Sequence, residues 1–183
     1  MAGVALTAAG STTTADVAGE AGLLAAPFSS RPGPVRPEWI DHNGHLNLAY
    51  YVVLVDAATD VLWNAIGLGA TYLAATGCGT FAVETHTLYV AELHKGDETE
   101  ARSIVLDVDA KRLHVAHELL RAGDGAVSAR QELIYLNVNL TTRRVVPWRV
   151  ETLASLQAAR QAHAHLRPDW IGRPCAMPGL RPE

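Results

Sequence analysis

The chain has 183 residues, 49% hydrophobic and 19% charged, enough to bury one sizeable core and too few for several domains. Its formal net charge is −4 and its basic residues form only isolated pairs, Lys111-Arg112 and Arg143-Arg144, so the electrostatic footprint of a nucleic-acid binder is missing. Cys78 and Cys175 lack the CxxC spacing of a metal or redox site and read as free thiols in a reducing cytoplasm, with a disulfide as the alternative.

Residues 1–33 are rich in Ala, Gly, Ser and Thr and carry no Lys or Arg before Arg31. They lack the basic region of a secretory signal and the arginines of a transit peptide, which favours a cytoplasmic protein. They read as a flexible tail or as a short Ala-rich helix over residues 18–26. The main domain is expected over residues 34–149 and a C-terminal helix with its tail over residues 150–183.

Residues 35–40 read as a short extended segment, and residues 48–67 as a helix with apolar positions at Leu48, Val52, Val55, Leu62 and Ile66. Its intervening positions are apolar too, so it must be wrapped on most sides. Asp56, Asp60 and Asn64 form one wet stripe, which speaks for a helix in water and against a membrane span. Gly67 suits a left-handed cap. From Phe81 the period changes to strict alternation through Val83, Thr85, Thr87 and Tyr89, a long strand. Further strands are expected over residues 98–109, 112–121 and 126–140, joined by Asp109-Ala110-Lys111 and Gly123-Asp124-Gly125 as tight hairpins. A short segment, Val145-Val146-Pro147-Trp148, precedes a helix over residues 150–166 that Pro168 stops. One long buried helix followed by an antiparallel meander defines an α+β class in which the sheet wraps the helix.

The densest polar chemistry is Asp41-His42-Asn43-Gly44-His45-Leu46-Asn47, set between two apolar runs. If residues 44–47 open the helix, free N–H groups and the positive end of its dipole stand beside the Asp41 carboxylate. Gly44 lets a substrate approach the backbone. Such a site supplies a base and an oxyanion hole together. Asp41 could alternatively be only a helix cap, a duty open to Asn43 as well.

This motif and the element order resemble the hotdog fold, and specifically the acyl-CoA thioesterases of the 4-hydroxybenzoyl-CoA thioesterase type. The resemblance covers residues 35–148. Residues 37–47, Glu84-Thr85-His86-Thr87-Leu88-Tyr89, Gly96-Asp97 and residues 109–114 are together similar to the thioesterases associated with carnitine dehydrogenase. The resemblance implies hydrolysis of betainyl-CoA to glycine betaine and CoA in carnitine degradation, no cofactor beyond the CoA of the substrate, and a homodimer or tetramer with active sites between subunits. It implies that Asp41 is the nucleophile or the base that activates water. The Gly44 or His45 N–H would then hold the thioester oxygen, an interaction whose loss costs on the order of 3 kcal/mol.

His45 either bonds the carboxylate or the substrate carbonyl, or packs in the first turn; Asn47 either orients water or bonds a neighbouring strand. Trp39 and Tyr50 are the candidate aromatic wall for a quaternary ammonium. Glu84 and His86 share one side of their strand and either reach the motif across a subunit boundary or face the surface. No metal site is expected, because His114 and His117 project to opposite strand faces and His163 and His165 are two apart on a helix.

Two rival functions remain at this level. A hotdog (R)-specific enoyl-CoA hydratase also begins its motif with Asp, but Gly44 stands where its proline is expected and His45 comes one residue early. A non-catalytic acyl-CoA-binding hotdog protein would carry a helix-turn-helix, for which residues 1–33 are too short and too rich in Gly, Ser and Thr.

Overall fold

The alternating pattern that begins near Cys78 is realised as one antiparallel sheet in a computed structural model, which describes residues 24–173 and residue 175. In chain order the elements are β1 Phe28–Pro34, α1 Leu48–Ile66, α2 Ala70–Thr76, β2 Cys78–Tyr89, β3 Glu98–Val108, β4 Arg112–Arg121, β5 Val127–Asn139, β6 Arg144–Val145 and α3 Val150–His163. The sheet order is β1-β3-β4-β5-β2, with β6 pairing on the end of β5.

Both expected hairpins form. The Asp109 carboxylate accepts the Lys111 and Arg112 N–H groups at 2.8 and 2.7 Å and closes the β3–β4 turn. The final helix ends at His163, earlier than its expected end near residue 166. The expected Ala-rich helix over residues 18–26 lies largely outside the described residues, and Leu24 to Ala26 are not helical.

One strand was hidden in the sequence. β1 takes Phe28–Pro34 out of what composition assigns to the N-terminal tail, and pairs with β3 through a register shift between Ser30 and Gly33. Pro32 and Pro34 cannot donate to a ladder, and β1 tolerates them because it is an edge strand. The expected extended run after it instead becomes a 3-10 turn over Pro37–Trp39.

Helix α1 lies on the inner face of the sheet. Leu54, Val55, Ala58, Leu62 and Ile66 pack with Leu113, Val115, Leu119, Leu133 and Tyr135. Each buried Leu contributes about 2 kcal/mol relative to an exposed one. Asp56, Asp60 and Asn64 are all exposed, as the stripe predicts. Burial and the neighbouring Asp60 charge raise the Asp56 pKa above its usual value.

Within this apolar layer sits one polar cluster. The Thr59 hydroxyl donates to the Val55 carbonyl at 2.9 Å, so towards the His117 Nε2 at 3.3 Å it must accept. His117 Nδ1 is then the acceptor for the Ser103 hydroxyl at 2.9 Å. A neutral imidazole satisfies all three residues, and burial pushes its pKa down to about 3. Residues from α1, β3 and β4 are thereby tied together.

Helix α3 packs along β3 and joins the α1 core through Leu156 and Ala159, while the outer face is covered by the segment that follows it, residues 165–172. His163 is buried, accepting the Val105 N–H on Nδ1 at 2.9 Å and donating from Nε2 to the Ala25 carbonyl at 2.7 Å. Arg130 lies over the Trp170 ring at 5.9 Å, and the Gly172 N–H reaches Glu132 at 2.7 Å. Among the described residues nothing pairs with the outer edge of β2, where Phe81 and Val83 are exposed.

Candidate active site

The polar motif folds into a closed turn. Ile40 bridges Leu46, the Asp41 N–H donates to the His45 carbonyl at 3.0 Å, and the Gly44 N–H donates to the Asp41 carbonyl at 3.1 Å. Asp41 Oδ1 accepts the Asn43 N–H at 2.7 Å, an Asx turn. Gly44 closes the loop at φ 86°, a conformation that favours glycine.

Helix α1 begins only at Leu48, so the expectation that residues 44–47 open it is corrected. Asn47 is the cap, its Oδ1 accepting the Ala49 N–H at 3.1 Å, and neither Asp41 nor Asn43 has that duty. The Gly44 N–H is taken by Asp41. Among the described residues, the N–H groups of His45 and Leu48 have no acceptor. The His42 N–H is likewise without one; the Leu48 N–H has the α1 dipole behind it and, with that of His45, is a candidate donor to a substrate oxygen.

The turn is locked to the chain before β3. The Leu46 N–H donates to the Leu93 carbonyl at 2.7 Å. The Tyr51 hydroxyl accepts the Leu93 N–H at 3.1 Å and donates to the Ala91 carbonyl at 3.3 Å. Burial raises the Tyr51 pKa, and the charges of Glu92 and Asp41 both push it further in that direction. Tyr89 packs edge-on against Tyr51 and donates to the Leu48 carbonyl at 3.1 Å.

This lock places Glu92 beside the motif, a residue that sequence reasoning missed. Its carboxylate stands 3.9 Å from His45 Nε2 and 3.7 Å from His94 Nε2. His45 Nδ1 faces the Leu46 carbonyl at 3.2 Å. The only available signal was a carboxylate three residues past the end of a strand, shortly before the Gly96-Asp97 turn.

Asp41, Gly44, His45, Asn47, Trp39 and Tyr50 are therefore gathered at one end of α1. Trp39 and Tyr50 stack at 5.2 Å between centroids with 13° between planes, and the Arg36 guanidinium lies 5.0 Å over the indole. Tyr50 and Arg36 thus already cover much of Trp39. Glu84 and His86 are not brought to the motif within one chain. A bulge at Val83 sets them on the outer face, where they line a cavity of about 200 Å³ with Glu132 and Arg173. Among the described residues no group of three or more His, Cys, Asp or Glu is spaced to hold a metal ion, and no single helix is long and apolar enough to cross a membrane.

A sheet curled around one central helix, with an Asp-bearing turn at the helix start, is the architecture of the hotdog thioesterases. Residues 35–156 match the thioesterase-like superfamily, and the chain belongs to it. It is an acyl-CoA thioester hydrolase. It is 38% identical over 149 residues to a betainyl-CoA thioesterase from Pseudomonas aeruginosa, covering 81% of this chain and 94% of that protein. It is also 32% identical over 140 residues to an L-carnitine dehydrogenase/betainyl-CoA thioesterase from Rhizobium meliloti, covering 76% of this chain and 28% of that longer protein. Among solved structures, a Staphylococcus aureus protein in complex with CoA superposes with a TM-score of 0.75 at 26% identity, covering 86% of this chain and 99% of that one.

Proposed function

We propose that the substrate is betainyl-CoA and the products are glycine betaine and free CoA, formed in the cytoplasm. The observation that carries this is the likeness to a betainyl-CoA thioesterase along nearly that protein's full length, with the Asp41 turn inside the matched region. In this reading the thioester oxygen lies against the His45 and Leu48 N–H groups. Asp41 either attacks the carbonyl carbon or takes a proton from the water that does. The tetrahedral intermediate collapses with rupture of the C–S bond; where Asp41 is the attacking group, water then cleaves the mixed anhydride and frees its carboxylate, and in either route water supplies one oxygen of the new carboxylate and the proton of the CoA thiol. Gly44 and Asn47 act by fixing the turn and the helix start. No cofactor is required by this chemistry.

Tyr50, with Trp39 behind it, offers an aromatic face to the trimethylammonium group. The functional unit in this reading is a homodimer joined along β2. Its exposed edge is 12 residues long, and Phe81 and Val83 on it are joined by Val52 and Val53 on the open flank of α1. Long apolar edges of this kind are covered in stable proteins. Glu84 and His86 lie on this strand and can meet the motif only across such a boundary.

The test is thiol release from a panel of cationic, neutral, acidic and aromatic acyl-CoAs. Highest kcat/KM on betainyl-CoA is expected; a clear preference for any other acyl group overturns the proposal.

A further inference from the structure

We infer that Glu92 is the specificity-determining anion of this site, the group that takes the positive charge of the acyl moiety. The inference rests on the betainyl-CoA reading above and deepens it. Glu92 sits on a rigid support, since both its neighbours are held: Ala91 and Leu93 by Tyr51, and Leu93 again by Leu46 of the motif. Its side chain is nevertheless 63% exposed, so the carboxylate projects from a fixed backbone into the open side of the motif.

The charge is also uncommitted. Among the described residues no Lys or Arg side chain pairs with it, and His45 and His94 stand beyond hydrogen-bond length at 3.9 and 3.7 Å. Lys95, three residues along the chain, forms no ion pair with it among the described residues, and Arg121 is engaged by Asp124 at 2.8 Å and reaches Glu92 only at its carbonyl. Arg36 is spent on the Trp39 ring. The site thus carries two carboxylates, Asp41 and Glu92, and among the described residues no Lys or Arg is paired to either.

This balance suits one class of substrate. In a betainyl thioester the quaternary nitrogen is two bonds from the carbonyl carbon, so a group that reads it must lie close to the reacting atoms. A trimethylammonium cannot donate a classical hydrogen bond, and what recognises it is negative potential plus apolar or aromatic contact. Glu92 supplies the first; Tyr50, Tyr89 and Leu48 border the same turn and supply the second. An acyl group ending in a carboxylate would meet two like charges instead.

The experiment compares betainyl-CoA with 3,3-dimethylbutanoyl-CoA, its uncharged isostere, in wild type, Glu92→Gln and Glu92→Asp. For Glu92→Gln, kcat/KM on betainyl-CoA is expected to fall about 10- to 100-fold while the isostere changes by less than about 3-fold, and Glu92→Asp should retain most of the preference. An equal fall on both substrates overturns the inference and makes Glu92 a positioning residue acting through His45. A wild-type preference that survives Glu92→Gln overturns it as well. A wild type that does not prefer the cationic thioester overturns the betaine reading itself, so the two failures are told apart.

Discussion

Asp41 Oδ1 accepts the main-chain N–H of Asn43 at 2.7 Å, so the candidate catalytic carboxylate is also a strut of its own turn. An amide oxygen can accept the same bond. Asp41→Asn is therefore expected to fold like wild type while losing the charge that chemistry needs, with kcat lower by on the order of 10³ to 10⁴. Thiol-release kinetics alongside a thermal melt check it, and activity near wild type would remove Asp41 from the mechanism.

Gly44 tests the shape of the turn. At φ 86° an added methyl group meets nothing within 4 Å, so the penalty for Gly44→Ala is conformational and not steric. That penalty is about 1 to 2 kcal/mol, a fall of roughly 2 to 8 °C in Tm for a chain of this size. An unchanged melting temperature would mean that the turn relaxes without cost.

The buried histidines set an acid limit. His117 stays neutral in the fold down to about pH 3, against an ordinary value of 6.5. The unfolded chain therefore binds the extra proton first, and stability falls as pH drops through that window by about 1.4 kcal/mol per unit. His163, held down mainly by burial, acts in the same direction. In His117→Leu the slope of unfolding free energy between about pH 6 and pH 4 should be shallower by up to about 1.4 kcal/mol per unit. Urea titrations across that range measure it, and an unaltered slope would contradict the assignment.

The β2 edge gives the assembly prediction. Phe81 and Val83 are 41% and 54% exposed in the single chain. If two copies join there, Val83→Glu with Phe81→Glu should shift the mass seen by light scattering from dimer to monomer. A dimer that persists would place the contact elsewhere.

The long helix and the strands of the meander were legible because each carries its own period over many residues. The helix runs 19 residues with one polar stripe, and the strands are bounded by Gly- or Asp-rich turns. β1 was not, since Pro32, Gly33 and Pro34 have poor strand propensity and only pairing with β3 makes them a strand. The seven-residue α2 was too short to show a period. At the site, the polar cluster was legible by composition and its geometry was not. Whether Asp41, Asn43 or Asn47 caps α1 is decided by which oxygen reaches the Ala49 N–H. Glu92 joins the motif only because Leu93 pairs with Leu46, a contact between distant residues that no local pattern encodes.

The bond between Thr59 and His117 has a consequence at the other end of α1. Thr59 lies twelve residues beyond Asn47, about 18 Å along the helix axis at the usual rise. Sliding α1 by a single turn would carry the Asp41 turn about 5.4 Å away from Leu93 and strand three hydrogen-bonding groups in an apolar layer. An apolar residue at position 117 would fill the space but remove this polar tie from the set that opposes the slide. The imidazole works as one index pin among several: far from the Asp41 turn, it helps set where along the sheet the candidate carboxylate comes to rest.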